Sequence, residues 1–272
     1  MSHLTDLIVR TSKRGERSLG MFVTSGFPTL EATPDLLNAI DAGGADFIEL
    51  GMPFSDPLAE GLPIQRSSER ALKNGVTMQA TLSFAKAFTA QSDTPLLLMG
   101  YGNPVMRYGI SNFFRDARSS GVQGVILPDV LPAEDSPFFK AAKEHDVDLV
   151  CLISPTTPPA RMTLIDELSS GFVYAVSVTG ITGAETGDAS PILSYLREAK
   201  TVIQKNPVLV GFGIRSADDV RELSEHTDGA IVGSALINHI DSLWNDPSID
   251  NDDRLSSVEE FVRALKAGTL SA

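Results

Sequence analysis

Short apolar runs recur along the chain and alternate with longer stretches in which the apolar residues follow a helical spacing. Most of the runs are continuous rather than alternating, which is typical of parallel strands that are covered on both faces. We predict eight strands, at Met21–Ser25, Asp46–Leu50, Pro95–Gly100, Gly124–Leu127, Asp148–Ile153, Phe172–Ser177, Pro207–Gly211 and Gly229–Gly233. The chain is therefore expected to consist of repeated strand–helix units.

Three further segments complete this pattern. Leu4, Leu7 and Ile8 lie at helical spacing, which predicts a helix before the first strand. The run Ser216–Asp219 places a serine before two acids, which predicts a capped helix start. The segment Asn245–Arg254 is polar and acidic, and we expect a loop there, before a closing helix.

Eight strand–helix units form the repeat of a (β/α)8 TIM barrel, an α/β fold that routinely occupies about 250 residues as one domain. The chain has 272 residues and no linker long enough to divide it. We therefore expect a single domain over residues 1–272. A doubly wound open sheet has the same local pattern and is the alternative, but the chain length and the strand count favour the barrel.

Composition excludes several classes of function. Lys and Arg number 22 against 35 Asp and Glu, and this net charge of −13 argues against a nucleic-acid binder. No apolar stretch is long enough to span a membrane. The single cysteine, Cys151, allows no intramolecular disulfide and no CxxC zinc site. A cytoplasmic location is expected, although a cysteine-poor secreted protein would have the same composition.

Glu49 is the first candidate for chemistry. The catalytic groups of such barrels lie at the C-terminal ends of strands and in the loops that follow. Glu49 lies near the end of the second predicted strand, in the apolar run Phe47–Leu50. A carboxyl group that faces the barrel interior is desolvated, which raises its pKa and suits it to proton transfer. The alternative is a structural glutamate held by an ion pair or hydrogen bonds.

Glycine-bearing segments follow the seventh and eighth predicted strands, at Val210–Arg215 and Ile231–Ala235. Glycine lets backbone N–H groups approach an anion closely, and a helix N-terminus adds a favourable dipole. Barrel phosphate sites usually lie at this position, so we expect a phosphate-bearing ligand. A third segment, Thr179–Gly187, is expected to add a phosphate contact or a lid. No lysine lies inside a predicted strand, which argues against a Schiff-base aldolase.

Five motifs resemble those of the tryptophan synthase alpha chain family, in the same order and over nearly the whole chain. They are Phe47–Gly61, Met99–Pro104, Val178–Glu185, Gly211–Ile214 and Gly233–Ala235. The resemblance implies a (β/α)8 barrel that cleaves indole-3-glycerol phosphate to indole and glyceraldehyde 3-phosphate without metal or cofactor. It also implies a partner, the beta chain, which carries pyridoxal phosphate and receives the indole through a tunnel in an alpha2-beta2 tetramer.

The resemblance implies roles for individual residues as well. Glu49 matches the catalytic glutamate, which protonates C3 of the indole and takes the proton of the glycerol C3′ hydroxyl. Glu60 matches the second catalytic position, which holds the indole N–H. Asp56 matches a residue at the interface with the beta chain. The substrate is expected to meet Phe22, Met99, Tyr101, Ile153, Tyr174, Thr182 and Phe212, and its phosphate Gly183, Gly213, Gly233 and Ser234.

The chain departs from the family pattern around the second catalytic residue. The family has aspartate where this chain has Glu60, and one extra methylene moves the carboxylate oxygens by roughly 1–1.5 Å. The family sequence Gly-Pro-x-Ile-Gln is replaced by Gly61-Leu62-Pro63-Ile64-Gln65, so the proline is displaced by one position. We expect Pro63 to bias Leu62 towards an extended conformation. The two changes either compensate for each other or weaken the enzyme.

Three functions therefore remain open at the level of sequence. The first, which the motifs favour, is the lyase subunit of tryptophan synthase. The second is a free-standing lyase that releases indole without a beta chain. The third is a regulator that has lost turnover through the changes at Glu60 and Leu62-Pro63, binds the phosphate ester and activates the beta chain.

Overall fold

The computed structural model describes residues 2–57, 60–176, 190–211 and 213–270. In this part of the chain eight parallel strands form a closed barrel, in which each strand pairs with the next and the last pairs with the first. The strands are β1 (Ser18–Thr24), β2 (Phe47–Gly51), β3 (Leu96–Met99), β4 (Gly124–Ile126), β5 (Asp148–Ile153), β6 (Val173–Val176), β7 (Val208–Gly211) and β8 (Gly229–Val232). The predicted barrel is confirmed, and the open-sheet alternative is excluded by the β1–β8 pairing.

Helices surround the barrel. Those within the described ranges are α1 (His3–Lys13), α2 (Ala32–Ala42), α3 (Leu62–Lys73), α4 (Met78–Thr89), α5 (Gly102–Tyr108), α6 (Ile110–Ser119), α7 (Pro137–Glu144), α8 (Pro159–Leu168), α9 (Ser190–Val202), α10 (Ala217–Ser224), α11 (Ser234–Trp244) and α12 (Asn251–Ala267). The predicted helix before β1 is α1, which buries Leu4 and Ile8 completely. No helix in these ranges combines the length and apolar character needed to cross a bilayer.

The strands are buried on both faces, as their continuous apolar runs predict. Every residue of β1, β2, β3, β7 and β8 is buried. Glu49 of β2 pairs in register with Phe22 of β1 and Leu97 of β3. Because all strands are parallel, their carboxyl ends and the loops that follow meet at one face of the barrel. The predicted site residues that the structure describes on these strands and loops are therefore brought to a common face.

The predicted capped helix start is confirmed at α10. The Ser216 hydroxyl accepts the N–H of Asp219 at 3.2 Å, and the Asp219 carboxylate accepts the N–H of Ser216 at 3.0 Å. This reciprocal pair satisfies two backbone donors that have no partner inside the helix.

The predicted loop at Asn245–Arg254 is partly wrong. Its last four residues belong to α12, which begins at Asn251. The Asp250 carboxylate caps this helix by accepting the N–H of Asp253 at 2.9 Å. The acidic residues that indicated a loop are the helix start, where carboxylates interact favourably with the helix dipole. The first strand also begins earlier than predicted, at Ser18.

Candidate active site

The Glu49 side chain lies inside the barrel mouth and is fully buried. Neither carboxyl oxygen has a hydrogen-bond partner within the described part of the chain. Burial raises the pKa of Glu49 to about 8, because water no longer stabilises the charged form. This carboxyl group therefore carries a proton at neutral pH, and the structure does not support the alternative of a glutamate held by ion pairs or hydrogen bonds.

Glu60 is the second carboxyl group at this mouth. It directly precedes Gly61 at the start of α3, and its Oε2 atom is buried without a partner among the described residues. Burial raises the pKa of Glu60 to about 7. At neutral pH, Glu60 is therefore divided between the charged and the neutral form.

Both carboxyl groups line one cavity at the carboxyl ends of the strands. Its empty space, counted with its open mouth, is about 410 Å³. The described residues that line it are Phe22, Glu49, Glu60, Ile64, Met99, Tyr174, Gly213, Ile214, Ile231, Gly233 and Ser234. The walls are mostly apolar, and the polar groups are few, as is usual for a small-molecule site.

One end of the cavity is formed by the N-terminus of α11. Gly233 precedes the helix and Ser234 is its first residue, so the N–H groups of the first turn have no partners within the helix. Gly213, with φ +80, lies beside them in the same cavity. Backbone N–H groups at a helix N-terminus form a favourable site for an anion.

Tyr174 of β6 forms another part of the cavity wall. Its phenol is buried, and burial, with a smaller contribution from the charge of Glu49, raises its pKa well above the usual range. The phenol is therefore neutral throughout the range in which Glu49 titrates.

The predicted site residues do not all meet in this cavity. Phe22, Met99 and Tyr174 line it, and so do Gly213, Gly233 and Ser234. Tyr101 and Ile153 are buried but are not among its described lining residues. Thr182, Gly183 and Phe212 lie outside the described residues.

Three isoleucines that line the cavity were missed by sequence reasoning: Ile64, Ile214 and Ile231. Each lies within four residues of a residue that was predicted. Ile214 follows Gly213, and Ile231 lies two residues before Gly233. Adjacency to the glycine motifs was the signal that could have identified these two residues.

The expectation that Leu62 is extended is wrong. The helix α3 begins at Leu62, and the extended residue is Gly61, with φ −71 and ψ 159. Proline is tolerated in the first helical turn because the N–H that it lacks would have no partner there. The displaced Pro63 is therefore compatible with a regular helix start after Glu60.

Asp56 is exposed on the turn after β2, where its carboxylate accepts a hydrogen bond from the Ser55 hydroxyl. Among the residues that the structure describes, no cluster of three or more His, Cys, Asp or Glu side chains is placed to hold a metal ion.

Comparisons with known proteins agree with this geometry. The family model for the tryptophan synthase alpha chain matches residues 8–269. A tryptophan synthase alpha chain from Geotalea uraniireducens is 42% identical over 271 residues, with 98% of each chain covered. Another from Roseiflexus castenholzii is 40% identical, covering 98% of this chain and 100% of the relative. The crystal structure of the alpha chain from Legionella pneumophila superposes with a TM-score of 0.89 at 31% identity, covering 99% of this chain and 97% of that one.

The chain belongs to the tryptophan synthase alpha chain family. Members of this family are lyases of tryptophan biosynthesis that cleave indole-3-glycerol phosphate to indole and glyceraldehyde 3-phosphate. The comparisons support the role of alpha subunit, and with it a beta chain as partner. They do not favour the free-standing lyase or the regulator.

Proposed function

We propose that Glu49 carries both proton transfers when this chain cleaves indole-3-glycerol phosphate. Its protonated carboxyl group gives a proton to indole C3, and the resulting carboxylate takes the proton of the C3′ hydroxyl. The C3–C3′ bond then breaks, its electron pair returns to the indole ring, and the C3′ oxygen becomes the aldehyde oxygen. Glu49 ends the cycle protonated, as it began.

Glu60 is proposed to stabilise the intermediate. Protonation at C3 places positive charge on the ring nitrogen, and an ionised carboxylate that accepts the ring N–H lowers the energy of that charge. The pKa of about 7 leaves Glu60 largely ionised at slightly alkaline pH. The glutamate thus keeps the chemistry of the aspartate usual in the family, on a side chain one methylene longer.

The phosphate is proposed to bind at the other end of the cavity. The N–H groups of Gly213, Gly233 and Ser234 and the Ser234 hydroxyl are the described donors, and Gly183 is proposed as a further one. Phe22 and Met99 are proposed to cover the indole ring and exclude water from it. Further substrate contacts are proposed for Tyr101, Ile153, Thr182 and Phe212. The chain itself is proposed to need no cofactor.

The single observation that supports this proposal is the shared cavity. Both carboxyl oxygens of Glu49 and the Oε2 atom of Glu60 are buried without hydrogen-bond partners among the described residues, and the two side chains open into the same space as a helix N-terminus. Acid–base cleavage of a carbon–carbon bond in a phosphate-bearing substrate needs both features at once.

At the level of assembly, we propose an alpha2-beta2 tetramer in which the beta chain carries pyridoxal phosphate and Asp56 lies at the interface. The loops after β2 and β6 are proposed as the catalytic loops of a single domain that spans residues 1–272. We place the enzyme in the cytoplasm, since its single cysteine suits a reducing compartment.

An indole-release assay of the purified chain tests the function. Indole and glyceraldehyde 3-phosphate are expected in equal amounts from indole-3-glycerol phosphate, and tryptophan when a beta chain and serine are added. Asp56→Lys should leave indole release unchanged and raise the beta-chain concentration needed for tryptophan formation. Absence of indole release from the parent chain would contradict the lyase, and an unchanged beta-chain requirement would remove Asp56 from the interface.

A further inference from the structure

Gln65 donates hydrogen bonds to the main chain on both sides of Gly61. Its side-chain Nε2 donates to the main-chain oxygen of Glu60 at 2.8 Å, and its own N–H donates to the oxygen of Gly61 at 3.1 Å. Two successive peptide groups that follow the Cα atom of Glu60 are therefore held by one residue. Their orientation sets the direction in which the Glu60 side chain leaves the backbone.

The helix that carries Gln65 is fixed to the barrel. The Ser67 hydroxyl donates its one proton to the oxygen of Ile64 at 2.7 Å, so it accepts a hydrogen bond from the Thr24 hydroxyl at 2.6 Å. Thr24, Ile64 and Ser67 are all buried. Thr24 is the last residue of β1, the strand that carries Phe22. Gln65 therefore acts from a part of the structure that is tied to the wall of the cavity.

A second tie joins the same helix to α11, the helix whose N-terminus forms the phosphate end of the cavity. Arg70 of α3 forms an ion pair with Asp241 of α11 at 3.1 Å. At the opposite end of the two helices, a Cβ atom added to Gly61 would lie 3.4 Å from the Ser234 hydroxyl. The start of α3 and the start of α11 are thus in close contact at the cavity.

The Glu60 carboxyl group itself has less to orient it. Its Oε2 atom is buried without a partner among the described residues. A glutamate has one more rotatable bond than an aspartate, so its carboxylate can be misplaced more easily when the backbone shifts. The capping position of α3 is Gly61, which has no side chain to fasten the first turn. The hydrogen bond from the Gln65 side-chain amide to the main-chain oxygen of Glu60 therefore holds the Glu60 peptide in place.

We infer that Gln65 is a positioning residue for the lyase reaction, holding Glu60 where its carboxylate meets the indole N–H. This inference rests on the proposed function. A displacement of about 1 Å in such a group can cost about 10²-fold in rate. Loss of the Gln65 bond should therefore lower kcat while leaving the phosphate end of the site unchanged.

The test compares Gln65→Met with Gln91→Met in the full chain. Gln91 makes a hydrogen bond of the same length from the same atom, Nε2, but to a side-chain oxygen, Asn38 Oδ1, at 2.8 Å and at an exposed position. We expect Gln65→Met to lower kcat for indole release by about 10- to 100-fold, with KM and the Kd for inorganic phosphate within about twofold of the parent. Gln91→Met should match the parent in all three.

A double-mutant cycle separates positioning from general damage. In a Glu60→Ala background, Gln65→Met should change the single-turnover rate by less than about twofold, because the group that it positions is absent. Should Gln65→Met fold poorly, Gln65→Leu also removes the donor, adds no charge beside Glu60 and should show the same loss of kcat.

The inference is overturned if Gln65→Met keeps the kcat of the Gln91→Met control, a result that leaves the proposed function intact. It is also overturned if phosphate affinity falls together with kcat, or if the loss persists in the Glu60→Ala background. A parent chain that releases no indole would remove the proposed function and this inference together.

Discussion

Gly211 and Tyr174 are in such close contact that a Cβ atom added to Gly211 would lie 2.1 Å from the Tyr174 hydroxyl oxygen. The two residues lie diagonally across the β6–β7 pair, in which Val176 is opposite Gly211. Tyr174 also lines the cavity that contains Glu49. Any side chain at position 211 must therefore move a wall of the candidate active site.

Gly211→Ala is expected to lower kcat/KM for indole release by at least about tenfold, because the displaced phenol would move into the space of the indole. Gly124→Ala is the matched control. Gly124 is also a strand glycine, but an added Cβ atom would lie 3.3 Å from Leu97 Cγ, which is a milder contact. Steady-state assays of both variants give the comparison, and equal activity of the two would show that the Tyr174 contact does not shape the site.

Gly233→Val is expected to act on the phosphate end of the substrate. A Cβ atom at this position would lie 3.3 Å from both Ile64 Cδ1 and Phe22 Cβ, and the larger valine would keep an anion away from the N–H groups of α11. Calorimetry should show weaker binding of a phosphate-bearing substrate analogue, with the affinity for free indole changed much less. Equal weakening of both ligands would contradict the assignment of the phosphate site.

The pH dependence of kcat/KM is expected to be bell-shaped. Activity should fall below about pH 7, where Glu60 gains a proton and stops accepting the indole N–H, and above about pH 8, where Glu49 loses the proton that it must donate. Glu60→Gln should remove the acid limb and keep the alkaline limb. A profile that is the same in this variant as in the parent would exclude Glu60 as the source of the acid limb.

Glu49 is also expected to make folding stability depend on pH. Its pKa is 4.5 in an unfolded chain and about 8 in the folded one, so the unfolded state alone ionises as pH rises between these values. The part of the folding stability that depends on Glu49 is therefore fully present below about pH 4.5 and is lost as pH rises towards 8. Glu49→Gln removes this loss. The free energy of unfolding of the variant, relative to that of the parent, should therefore rise by about 2–4 kcal/mol between about pH 5 and pH 8.

Urea unfolding at several pH values measures this difference. The control is Glu222→Gln, an exposed position on α10, which should follow the parent. A constant difference between Glu49→Gln and the parent at all pH values would show that Glu49 is not held neutral in the folded chain.

Much of the fold could be predicted from local patterns. Continuous apolar runs indicate strands covered on both faces, and all eight were placed correctly apart from shifts at their ends. The position of Glu49 at the end of such a run was sufficient to identify it as a candidate. By contrast, acids such as Asp252 and Asp253 are as common in loops as in first helical turns, so the start of α12 was missed.

The lining of the cavity was harder to predict, because it depends on how side chains point once the barrel has closed. Tyr101 ends next to Phe54, with ring centroids 5.2 Å apart, rather than among the described residues around Glu49. Ile64 reaches the cavity only because α3 begins directly after Glu60 and Gly61. A residue before proline is biased towards extended backbone, but here the start of the helix at Leu62 outweighs that bias.

The assignment of both proton transfers to Glu49 is tested most directly by single-turnover cleavage of indole-3-glycerol phosphate by Glu49→Gln at about pH 7.5. The variant keeps the shape of the side chain and loses its transferable proton, so it should bind the substrate with the affinity of the parent. We predict that the rate of indole release falls by at least about 10²-fold. A rate close to that of the parent, with the substrate bound equally well, would contradict the assignment of the proton transfers to Glu49.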